Sequence, residues 1–106
     1  MAKKSYARKF VVKELLTYNS WMIVKRCPTI QQARKQAYVS LKEDRYPIDI
    51  FDENDNLVGY VVTHRPGADA PVYFHPNHHS PYFIKHPLKF NKYLLNRDGS
   101  LGRGEM

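Results

Sequence analysis

The residues best suited to chemistry stand at the front of the chain. Lys3, Lys4, Arg8, Lys9 and Lys13 all precede the first acidic residue, Glu14, and Tyr6 and Phe10 are interleaved with them. Ammonium and guanidinium groups neutralise phosphates, and an aromatic ring among them can stack on an exposed base or sugar. That combination serves sequence-tolerant nucleic-acid binding. The formal charge of +7 is unevenly spread: +6 over residues 1–27, +2 over 28–45, −4 over 46–63, +3 over 64–95 and zero over 96–106. A localised basic surface draws polyanions through its long-range field and through counterion release. The ordinary alternative for such an arm is solvation alone.

A second basic group lies on a predicted helix, where wheel positions gather Arg34, Lys35 and Lys42 around Tyr38, with Arg45 just beyond. Gln32, Gln36 and Glu43 occupy the other flank. Any surface helix needs a polar face, so this patch extends the arm's case without making one of its own.

All five histidines fall between residues 64 and 92. His75, His78, His79 and His86 are candidate imidazole ligands, but their cluster contains no Cys, Asp or Glu. His78 and His79 are adjacent and would point to opposite sides of an extended segment. The expectation is therefore no metal and no cofactor, with the histidines at the surface or against a partner. Cys27 stands beside Lys25 and Arg26, a setting that favours a thiolate, yet a lone cysteine is far more often packing. Asp49, Asp52, Glu53 and Asp55 form an acidic stretch that reads as a solvated turn or as a side that repels phosphate. There is no Gly-rich phosphate loop, nucleophile elbow or zinc-ligand spacing of known form, so no enzymatic activity is expected.

The elements that must carry these groups follow from local pattern. Residues 6–18, with Phe10, Val11, Val12, Leu15 and Leu16, read as a strand whose pairing includes a bulge, and Tyr18-Asn19-Ser20 turns it into Trp21–Cys27. Pro28 ends that hairpin. Thr29 stands three residues before Gln32, the spacing of a reciprocal helix cap, and Ile30, Ala33, Ala37 and Leu41 form one apolar stripe in a helix ending near Asp44. Ile48 and Ile50 alternate with Asp49 and Phe51. An Asn- and Asp-rich connection then leads to Leu57–Val62, a second hairpin. The fold class is α+β: a ββαββ two-layer sandwich in which the helix lies on one antiparallel sheet.

Beyond Thr63 the composition changes. Five of the seven prolines, at 66, 71, 76, 81 and 87, recur every five or six residues, fixing φ and removing donors, so long ladders cannot form and a packed helix is not expected. Short extended pieces at Val72–Phe74 and Tyr82–Lys85 are compatible with this spacing, and the density of Tyr, Phe and Ile calls for packing on the sheet or on a partner. The domain plan is a basic arm at 1–9, an α+β core at 10–63 and an irregular extension at 64–106, mobile after about Asn96.

With 42% apolar and 13% aromatic residues over 106 positions, the chain suits one folded domain and not wholesale disorder. No apolar run is long enough to span a bilayer, no apolar stretch follows the basic N-terminus as in a secretory signal, and one cysteine rules out an internal disulfide. A cytoplasmic, reducing setting is expected. The leading functional expectation is a small non-enzymatic protein that docks on nucleic acid or a nucleoprotein complex. The second is a modulator that caps an acidic protein surface, and the third a metal-dependent hydrolase or nuclease using the histidines.

Overall fold

The computed structural model describes residues 9–17, 20–44, 46–64, 67 and 69–102. Strands β1 (Phe10–Thr17) and β2 (Ser20–Cys27) form the first antiparallel pair, with an irregularity between Val12 and Lys13 where a bulge was expected. Helix α1 (Ile30–Asp44) follows at once. The Thr29 half of the expected cap is present: the Gln32 N–H donates to Thr29 Oγ1 at 3.2 Å. Ile30, Ala33, Ala37 and Leu41 are all buried, and the two alanines are fully so. Their lack of bulk lets the helix axis come close to the strands.

Strands β3 (Ile48–Asp52) and β4 (Leu57–Thr63) make the second hairpin. Asp52 organises its loop, because Oδ1 accepts the N–H groups of Asn54 and Asn56 at 2.9 Å each, while the Asn56 amide donates to Oδ2 at 3.1 Å. Asp55 takes a φ of 68° there, a left-handed conformation that Asp and Asn tolerate better than most residues.

The sheet does not end with four strands. β5 (Val72–Pro76) pairs antiparallel with β4, and β6 (Tyr93–Leu94) pairs with β5, giving one sheet in the order β2-β1-β3-β4-β5-β6. The class is α+β with one main helix, as expected, but the ββαββ plan with an irregular extension is corrected to six antiparallel strands. The physical reason lies in where the prolines fall. Pro71 precedes β5, Pro76 is its last residue, Pro81 opens the short helix α2 (Pro81–Lys85) and Pro87 follows that helix's cap. They punctuate short elements without interrupting them. In α2, Ser80 Oγ accepts the Phe83 N–H at 3.3 Å, so a single capped turn forms where no packed helix was expected.

The stretch from Asn96 to Gly102, expected to be mobile, folds into a turn fastened to α1. The Asn96 N–H donates to Ser100 O, the Gly102 N–H to Leu94 O and Arg34 Nε to Gly99 O at 2.7 Å. Gly99 has a φ of 89° and lies so close to α1 that a Cβ would collide with the Gln31 carbonyl oxygen. Only glycine meets both demands.

Register sorts the sheet into two faces, because directly paired residues share a side. Val12, Ile50 and Gly59 lie in one row, as do Ile48, Val61 and Phe74. This face is covered by α1 and, beside it, by α2, whose buried Phe83 stands 6.1 Å from Phe74. A Cβ at Gly59 would come within 2.7 Å of the Phe74 ring, so the missing side chain makes room for that phenyl group. No helix of the described residues is long and apolar enough to cross a membrane.

Candidate nucleic-acid interface on the open sheet face

The alternate residues of the same strands point away from α1. Ile23, Lys13, Asp49, Tyr60 and His75 form one row across β2, β1, β3, β4 and β5, and Trp21 with Leu15, and Val62 with Tyr73, belong to the next. Neither α1 nor α2 covers them. Trp21 is 45% exposed, Ile23 48% and Tyr60 40%, values unlike those of the opposite face.

The side chains are organised in two clusters. In the first, Trp21 Nε1 donates to Asp49 Oδ2 at 2.9 Å, the Trp21 and Phe51 rings meet edge to face at 6.3 Å, and Lys13 Nζ lies 4.4 Å from the Phe51 centroid. Lys13 also pairs with Asp55 at 2.9 Å. Burial pushes the Asp49 carboxyl up from its ordinary value while the Trp21 bond pulls it down. In the second, Tyr60 stacks on His75 at 4.9 Å and 11°, and His64 Nε2 lies 3.0 Å from His75 Nε2. Tyr73 stands 5.2 Å from His64, with Lys92 Nζ 4.8 Å from the Tyr73 centroid. Burial, then the neighbouring His64 and Lys92, holds His75 below the ordinary imidazole value. One ring of the pair must donate and the other accept, so the bond requires at least one neutral imidazole.

Chemically this is a band of aromatic side chains with Lys13 and Asp49 set into it on β1 and β3 and Lys92 beside Tyr73 at the β5 side. Such a surface can stack bases and neutralise the phosphates between them. Arg26, paired in register with Val11, adds an exposed guanidinium on the same side.

The residues expected to bind are dispersed. Lys3, Lys4, Tyr6, Arg8 and Arg45 lie outside the described residues. Lys9 is exposed just before β1, and Lys13 reaches the open face. On α1, Lys35 is exposed, but Lys42 donates to Ala70 O at 3.1 Å and sits 5.8 Å from the Tyr38 ring, and Arg34 turns toward Gly99 and Phe74. The histidines do not cluster as drawn: His75 pairs with His64, His78 Nε2 meets Phe90 O at 3.0 Å, and His86 packs on Tyr82. Among the described residues no group of three or more His, Cys, Asp or Glu is placed to hold a metal. Cys27 is buried, and Asp52 is the hub of its turn.

Trp21, Phe51, Tyr60 and Lys92 carry no functional mark in the sequence, whereas His64 and Tyr73 belong to the histidine- and aromatic-rich segment expected to meet the sheet or a partner. A signal for some of them exists in the period-two alternation, which sets Phe51 against Ile48 and Ile50 and separates Tyr60 from Val61. Comparison with family models, with curated proteins and with solved structures gave no match to this chain.

Proposed function

We propose that this protein is a non-enzymatic binding module that takes single-stranded nucleic acid, free or displayed by a nucleoprotein complex, across the open face of its sheet. One observation carries the reading: Trp21, Phe51, Tyr60, Tyr73 and His75, from four strands, share with Lys13 and Lys92 a face that neither α1 nor α2 covers. Leaving large rings in water is unfavourable unless they have a use, and bases are the ligands that stack on every ring type without regard to sequence. The +6 charge of residues 1–27 supports an anionic partner. Asp55 is offset by its ion pair with Lys13, whereas Asp49, hydrogen-bonded by the neutral Trp21 indole, keeps a charge that the surrounding cations must outweigh.

Trp21 is the single tryptophan of the chain, so its emission reports directly on the proposed face. Titration with oligo(dT) or oligo(U) should quench it, with an affinity that falls as salt rises. If Lys3, Lys4, Arg8, Lys9 and Lys13 all contact phosphate, the log–log salt slope should be about −4 and should flatten when the five are changed to Ala. An unquenched Trp21 at saturating oligonucleotide would remove the face from the mechanism.

A second reading rests on the edge strand β2, where Trp21, Met22 and Ile23 are all exposed in sequence. An apolar edge of this kind suits strand addition by a protein partner. An acidic protein that binds, protects β2 amides from exchange and leaves oligonucleotide affinity at zero would favour it.

A further inference from the structure

In the helical layer, the start of α1, the β3–β4 loop and α2 enclose a cleft of about 720 Å³, within the range of small-molecule and cofactor sites. Three cations line it, Lys9, Arg34 and Lys85, together with two carboxylates, Asp52 and Glu53. The balance favours an anion more than those numbers indicate, because the Asp52 carboxylate already accepts two backbone N–H groups and an amide within its turn.

Arg34 is the informative residue. Its Nε donates to Gly99 O at 2.7 Å, its Cζ lies 5.6 Å from the Phe74 centroid, and no carboxylate of the described residues pairs with it. Its terminal nitrogens have no acceptor among the described residues and are not sealed from solvent. Burial lowers its affinity for the proton from the ordinary value, an electrostatic cost that a bound anion would offset. The bidentate fork of a guanidinium matches a phosphate. Aromatic walls stand beside it: Tyr82 meets Phe10 edge to face at 5.4 Å and His86 at 4.8 Å.

We propose that this cleft binds a nucleoside 5′-phosphate, with the phosphate on Arg34 and Lys85, the base against Tyr82 and His86, and the ribose hydroxyls donating to Glu53. A lone phosphate would leave most of the volume and the aromatic walls unused, and a triphosphate would set four negative charges against a lining whose net charge is about +1 with His86 neutral. The nucleotide is either free or the terminal unit of a strand. The residues assigned to the nucleotide, Arg34, Lys85, Tyr82, His86 and Glu53, are not those of the sheet face; Lys9 alone is shared, between the cleft lining and the basic arm.

The test titrates AMP into the ¹⁵N-labelled protein, with adenosine and inorganic phosphate as comparators. AMP should shift the amides of residues 30–34 and 82–86 without quenching Trp21, and the two fragments should bind at least about tenfold more weakly. Lys85 is exposed, so Lys85→Glu should weaken AMP by about tenfold while the melting temperature and the Trp21 response to oligo(dT) stay unchanged. A 5′-phosphorylated trinucleotide that shifts the same amides, where its 5′-hydroxyl form does not, assigns a strand end; a response to AMP alone assigns the free nucleotide. Equal affinity for AMP and adenosine, no shift at millimolar AMP, or indifference to Lys85→Glu would overturn the proposal. Failure of Trp21 quenching by oligonucleotide would count against the sheet face only.

Discussion

The two faces of the one sheet differ in what they contain and in how much of it touches water. Against α1 and α2 stand Val12, Ile48, Ile50, Val61 and Phe74, all with no exposed area; on the other side stand Trp21, Phe51, Tyr60, Tyr73 and His75, each reached by solvent. Aliphatic side chains interdigitate to interior density and stabilise the fold. Large rings with a polar edge pack less completely and remain available for contact. The contrast implies a division of labour: substitutions on the covered face should change stability, and substitutions on the open face should change binding.

The sharpest way to break that division is at Phe74. Phe74→Ala should cost about 3–5 kcal/mol, since the ring is fully buried between Gly59, Phe83 and Arg34 and leaves a cavity. A denaturant midpoint near the parental value would show the covered face to be looser than described. A smaller effect is expected where α1 meets the strands. Ala37→Leu should overpack that layer by about 1–3 kcal/mol, whereas Val39→Ala, at an exposed position on the outer side, should be nearly silent. The reverse ranking in thermal melts would mean that the helix presents a different side.

On the open face the expectation inverts. Trp21→Ala and Tyr60→Ala should each change stability by under about 1 kcal/mol yet weaken oligonucleotide binding by about 1–3 kcal/mol per base unstacked. Parallel melts and anisotropy titrations would separate the two readouts. The smallest effect concerns pH. Folded His75 is held below the ordinary value of 6.5, so on acidification the unfolded chain takes up this proton first. Its contribution to stability should be flat above about 6.5 and decline below that, until folded His75 titrates in turn. In His75→Gln that part of the acid slope should vanish; a slope unchanged by the substitution would assign it elsewhere.

The covered face was legible in the sequence and the open face was not, for a physical reason. Thr29, Gln32 and the stripe from Ile30 to Leu41 are local signals, readable within one helix, and the Asp52–Asn56 turn is readable within one loop. The aromatic band is assembled from four strands by register alone, and register depends on pairings such as Asp49 with Tyr60 and Tyr60 with His75 that no local pattern specifies. The helix wheel set Arg34 and Lys42 on one flank. It could not show that the turn near Gly99 and the carbonyl of Ala70 would be there to meet them. The proline spacing rules out long ladders and leaves room for a short extended piece at Val72–Phe74, where β5 forms; what no local pattern could show is that this piece pairs with β4.

The turn at Gly99 also has a consequence in time. Its bond to Arg34 joins residues 65 positions apart, so the first turns of α1 cannot gain this contact until all six strands have been made. At a synthesis rate of about 5–20 residues per second, Arg34 waits roughly 3–13 s after its own incorporation for Gly99 to arrive. During that interval the nascent helix is held only by its cap and by whatever strands have emerged. A nascent chain with residues up to 95 outside the ribosome tunnel should therefore be cleaved within residues 30–36 by protease far more readily than one with residues 96–102 outside as well, so the turn that follows β6 completes the packing of the first helix.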